Sequence, residues 1–163
     1  RRRDDQATPL HVAAVLQDPD LVRLLLSNNA EAGAVDKDGR TALHVAALSG
    51  NADLVGVLLD SLPAPALDSP TKNGHTALFL ACWRGHLEVA QLLHGRGASE
   101  NKIDAEGKSM IDRARGWNQT RVVAWLSELR DRTLAPPAIP RPDPSFLDPE
   151  TDQDQGDGAL AGQ

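Results

Sequence analysis

The chain has 163 residues, 40% of them apolar but only 3% aromatic, and a formal net charge of −6. That length suits one domain with a sizeable core, and no run nears the roughly 18 apolar residues that a membrane span needs. The single cysteine, Cys82, excludes a disulfide framework and a cysteine-based zinc site, while six carboxylates against Arg141 in residues 134–163 leave the rest nearly neutral, which excludes a nucleic-acid footprint.

The first predicted helix starts after Thr8, whose hydroxyl suits an N-cap, and Pro9 fills the first helical position, where its missing N–H costs nothing. Its stretch "TPLHVAAVL" is followed, thirteen positions after Thr8, by a second apolar block, "LVRLLL" from Leu21. The pair then returns. "TALHVAALSG" from Thr41 precedes "LVGVLL" from Leu54, and Leu43, Ala46 and Ala47 give an i, i+3, i+4 stripe small enough for close helix contact. After it, within "SLPAPALDSP", the stretch 63–70 reads as an irregular surface loop. "TALFLACWRG" from Thr76 precedes "VAQLLH" from Val89, and "SMIDRARGWN" from Ser109 precedes "VVAWLS" from Val122. The four starts are separated by 33, 35 and 33 residues, so the chain is built from four units of two short helices.

Punctuation between the units agrees. Nine residues after each start stand Gln17, Gly50, Gly85 and Asn118. Gly and Asn take the left-handed conformation that ends a helix, and Gln17 alone breaks that rule. Turn signals "DKDG" (36–39), "KNG" (72–74) and "DAEG" (104–107) precede three of the starts. Past Thr133, six prolines and an acidic run without helical period predict a disordered tail over 134–163.

The T-P-L-H-x-A pattern at a period near 33 resembles the ankyrin repeat family. The resemblance covers about residues 3–132 in four units, about 3–35, 36–70, 71–103 and 104–132, within a domain spanning 1–133. It implies an all-α solenoid of four helix-turn-helix units with hairpin fingers, first helices lining a concave side and second helices a convex one. Phe79 and Asp112 stand where the family's histidine would be, so its Thr–His bond should be missing from repeats 3 and 4. Repeat 4 carries Asp112, Arg113 and Arg115 and reads as a solvent-facing cap; Val12, Val15 and Leu16 keep repeat 1 apolar, as expected of an end cut from a longer array.

The residues give no catalyst. No histidine pair has the i, i+4 spacing of a metalloprotease helix, and no G-x-S-x-G or phosphate-cradling glycine loop is present. Cys82 replaces a signature alanine and reads as a small buried thiol. The chain therefore reads as no enzyme, with no cofactor and no metal. It reads as an interaction module for another protein, with no nucleic acid and no membrane insertion, monomeric by itself and intracellular, in cytoplasm or nucleus. A regulatory segment of a larger enzyme, channel or transcriptional co-regulator is the alternative.

Seven and eight positions after the starts lie Val15, Leu48, Trp83 and Gly116, then Leu16, Ser49, Arg84 and Trp117. By the resemblance these positions close the first helix on the concave side. Leu48, Trp83 and Trp117, flanked by Arg84 and the finger residues Arg40, Lys72 and His75, form the expected partner surface, since aromatics and arginine dominate binding hot spots. The other reading of Trp83 is a seal folded over the neighbouring finger. Trp125 falls in a core slot of the last helix.

Overall fold

The computed structural model describes residues 6–134. Among them the chain forms α1 (Pro9–Leu16), α2 (Pro19–Ser27), α3 (Ala42–Ser49), α4 (Ala52–Ser61), α5 (Ala77–Arg84), α6 (Leu87–Gly95), α7 (Met110–Gly116) and α8 (Thr120–Leu134). Each odd-numbered helix packs on its successor, and α1, α3, α5 and α7 stand side by side in one layer, with α2, α4 and α6 in a second. This is an all-α repeat solenoid. The predicted tail, with the first five residues, lies outside the described part.

Small side chains explain the close inner layer. Ala13, Ala14, Ala46, Ala47, Ala81, Cys82 and Ala114 are all fully buried, so neighbouring first helices meet nearly backbone to backbone. Leu54, Leu58, Leu93 and Val122 then supply the apolar volume of the second layer. Burial pushes the Cys82 thiol up to about 12, which leaves it an inert packing group.

Histidines rivet one unit to the next. The Thr8 N–H donates to His11 Nδ1 at 3.2 Å, and the Thr41 N–H to His44 Nδ1 at 3.0 Å. An Nδ1 that accepts leaves the ring proton on Nε2. That Nε2–H then donates to the carbonyl of Arg40 (2.7 Å) from His11 and of His75 (3.2 Å) from His44. The expected loss in repeat 3 holds, where Phe79 is a fully buried apolar substitute and only its N–H reaches Thr76 Oγ1, at 3.2 Å. In repeat 4 Asp112 takes over the local half of the task, accepting the Ser109 N–H at 3.1 Å.

Two expectations need correction. The stretch 63–70 is not an irregular surface loop throughout: Ala64–Asp68 is a 3₁₀ turn, Leu67 is buried against the core, and Asp68 Oδ1 accepts the Ser99 N–H at 3.0 Å. One apolar side chain and one capping carboxylate anchor what proline content alone suggests is loose. The second concerns Gln17, which adopts the left-handed conformation (φ 56°) as Asn118 does (φ 56°), despite its unfavourable Cβ. Packing of α2 on α1 imposes the bend that the residue does not favour. Gln17→Gly should therefore raise the unfolding free energy by roughly 0.5–1 kcal/mol in urea titration; an unchanged or lower value would show that Gln17 carries no strain.

Neighbouring units also interlock at the glycines. A Cβ on Gly50 would stand 2.5 Å from His86 Nδ1, and one on Gly85 would stand within 2.0 Å of Gln119 Oε1. The long polar residue that follows each of these later bends thus lies over the bare glycine of the unit before it. His86 uses that position to bring Nε2 to 3.1 Å from the Leu48 carbonyl.

Candidate interaction surface

Fingers are set by their first side chain. Asp36 Oδ1 accepts the N–H groups of Asp38 (2.8 Å) and Arg40 (2.9 Å), and Asp104 Oδ1 accepts those of Glu106 and Lys108, both at 2.9 Å. Successive fingers are joined by backbone bonds, from the Lys72 N–H to the Asp38 carbonyl and from the Ala105 N–H to the Asn73 carbonyl, both 3.0 Å. Gly39 and Gly74 permit this approach, since a Cβ on either would come within 3.1 Å of the next finger's backbone nitrogen.

The finger and helix of repeat 3 then carry an aromatic row. The His75 ring stacks on Phe79 with centroids 4.9 Å apart, and Trp83 lies 5.4 Å from His75. Trp117, at the end of α7, meets Trp83 edge-on at 6.0 Å. Phe79 is the buried root of the row and Trp117 its open end, 61% exposed. Burial lowers the His75 pKa ahead of all other influences, so the ring is held neutral at physiological pH; Asp104 and Glu106 oppose the shift and Arg113 adds to it.

An ion pair braces the row from the repeat 4 side. Arg113 donates through Nε (2.7 Å) and Nη2 (2.6 Å) to Asp104 Oδ2, reaches Glu106 Oε2 at 2.8 Å, and places its guanidinium carbon 5.8 Å from the Trp83 ring centre. Asp104 Oδ2 also lies 3.9 Å from His75 Nε2. Burial opposes the ionised Asp104, yet the Lys108 N–H, the Arg113 guanidinium and the Glu106 N–H outweigh it and hold the carboxyl below the usual range. Arg113 is thus no solvating cap charge; it folds inward onto the finger. Replacing it with methionine strands a buried carboxylate, so Arg113→Met should destabilise more than the double change Asp104→Asn with Arg113→Met, which buries no charge. Paired urea titrations check this, and the opposite order would deny the brace.

His75, Trp83 and Trp117 are therefore brought together. Arg84 is exposed beside Trp83, and Lys72 is exposed on its finger. Arg40 pairs with Asp38 at 2.6 Å, and Leu48 is half-buried in α3. Sequence reasoning missed Phe79, Asp104 and Arg113. A usable signal existed for Arg113: four positions after the starts, Val12, Val45 and Leu80 are apolar, and only repeat 4 puts a charge there. Trp125 does pack, partly buried against the core and edge-on to His94 at 5.6 Å. Among the described residues no cluster of three His, Cys, Asp or Glu side chains could hold a metal, and no helix is long and apolar enough to cross a membrane.

Comparison with known proteins agrees with the repeat geometry. A model for ankyrin repeats in three copies matches residues 1–66, and a single ankyrin repeat model matches 73–105. The gap between the two matches falls on the longer joint that holds the 3₁₀ turn. The B-cell lymphoma 3 protein homolog of Mus musculus is 36% identical over 122 residues, covering 73% of this chain and 27% of that protein. NF-kappa-B inhibitor alpha of Homo sapiens is 39% identical over 100 residues, covering 59% and 32%. The chain thus spans about a quarter to a third of the length of these relatives.

Proposed function

Since the chain belongs to the ankyrin repeat family, we propose that it is a non-catalytic adaptor or scaffold module, intracellular and monomeric by itself, which binds a protein partner across its fingers and the ends of its first helices. The observation that carries this reading is the Trp83–Trp117 pair, with Trp117 61% exposed. An aromatic side chain left open to water at the end of an ordered row gives a partner a large apolar anchor at little entropic cost. Trp83, Trp117 and His75 form the centre of the proposed contact; Arg84, Lys72, Arg40 and Leu48 form its rim. The domain over 1–133 with its four repeats is the unit that binds.

A regulatory role within a longer polypeptide is the second reading. It is favoured by the short span of the relatives that the chain covers, and by one relative whose name is that of an inhibitor of NF-kappa-B. Affinity capture from cell extract tests the first reading. Proteins retained by the wild-type chain and by Gln91→Ala, an exposed change on α6, but lost from Trp83→Ala and Trp117→Ala, would support the tryptophan surface. Equal retention by all four would refute it.

A further inference from the structure

A second surface lies at the far end of the stack. Between α7 and α8 a cleft of about 550 Å³ opens, within the size range of ligand sites. Its apolar wall is made by Met110, Ile111 and Leu126, of which Met110 is 1% exposed and Leu126 7%. Arg115 and Arg130 stand at its edge, both exposed, and among the described residues neither has a carboxylate within ion-pair distance. Two acidic groups also line it: Asp112, bonded to Ser109 at 2.5 Å and in the field of Arg115, and Glu100, which lies 3.4 Å from His94. What remains is a largely polar cleft with a small apolar floor and two exposed arginines at its edge.

The sequence supplies a matching segment. Residues 146–150 read Phe-Leu-Asp-Pro-Glu, two large apolar side chains followed by two carboxylates, in a stretch where carboxylates outnumber bases six to one. We propose that Phe146 and Leu147 of this same chain dock into the α7/α8 cleft, with Asp148 and Glu150 facing Arg115 and Arg130. Connectivity favours this occupant. Thr133, near the end of α8, lines the cleft, and Phe146 follows thirteen residues later. A proline-rich connection of that length reaches up to roughly 40 Å. Tethering gives an effective concentration on the order of millimolar, so a contact with a Kd near 1 mM in trans is occupied about half the time in cis. The cleft shares no lining residue with the tryptophan row.

Met110 is the one methionine in the chain, so its methyl group gives a single assignable NMR signal inside the cleft. In the full chain that signal should sit under the ring current of Phe146 and show cross-relaxation to the Phe146 ring protons. Phe146→Ala with Leu147→Ala should abolish the cross-relaxation and move the signal. Asp148→Asn with Glu150→Gln, or Arg130→Gln, should move it part of the way, as should raised salt. Identical Met110 signals in the wild type and the Phe146→Ala, Leu147→Ala chain would overturn the proposal. So would a signal that moves with protein concentration, since that marks docking between two copies.

Discussion

Leu58→Ala is expected to lower the unfolding free energy by roughly 2–5 kcal/mol, whereas Trp83→Ala should lower it by only about 1 kcal/mol. Leu58 is fully shielded from water in α4, which packs on α2, α3 and α6, so removing its isobutyl group leaves a cavity bounded by several helices. A quasi-linear stack transmits that damage, because each unit is stabilised chiefly by its neighbours. Trp83 is half-buried, and its ring partners His75 and Trp117 belong to the surface row, so truncation opens space that water can fill. Urea unfolding followed by circular dichroism compares the two. If Trp83→Ala cost as much as Leu58→Ala, the tryptophan would be a core residue that seals the finger.

Acid should weaken the stack through His44. Burial, the largest influence, lowers its pKa from about 6.5 to about 4, and the Nδ1 position already accepts the Thr41 N–H, leaving no room for a second ring proton. The folded chain therefore binds fewer protons than the unfolded chain between those values, and stability rises with pH across the window. The contribution is complete above pH 6.5 and is lost as pH falls towards 4. Its size is roughly 3 kcal/mol at 1.36 kcal/mol per unit. Unfolding free energies of wild type and His44→Gln, measured from pH 7 to pH 4, should differ by that loss. A wild-type slope no steeper than that of His44→Gln would show that His44 is not the acid-labile rivet.

Most of the architecture was legible because it repeats. Thr8, Thr41, Thr76 and Ser109 do cap the first helices, Gly50 and Gly85 do end α3 and α5 in the left-handed conformation, and Asn118 adopts it one residue past the Trp117 cap of α7. These signals are local, set by a side chain and its own backbone. Where packing overrides local preference the sequence misled: Gln17 bends against its propensity, and Leu67 draws a proline-rich joint onto the core. The tryptophan row was legible in part for the same reason. Counting register from the caps places Trp83, Trp117 and His75 near one another, since all three belong to repeating positions. It does not reveal that Arg113 turns inward, because that depends on Asp104, nine residues earlier in a different element. The ion pair is a tertiary contact, and a charge on a terminal helix looks like solvation until its partner is seen.

The proposed role rests on the tryptophan row as a contact site. The most direct measurement is a calorimetric titration of a protein captured by the wild-type chain, against wild type and against Trp83→Ala at a temperature where both are folded. The loss should be about 2 kcal/mol or more, roughly a thirtyfold rise in Kd, with Gln91→Ala unchanged as the control. A Trp83→Ala chain that stays folded and binds within twofold of wild type would contradict the account.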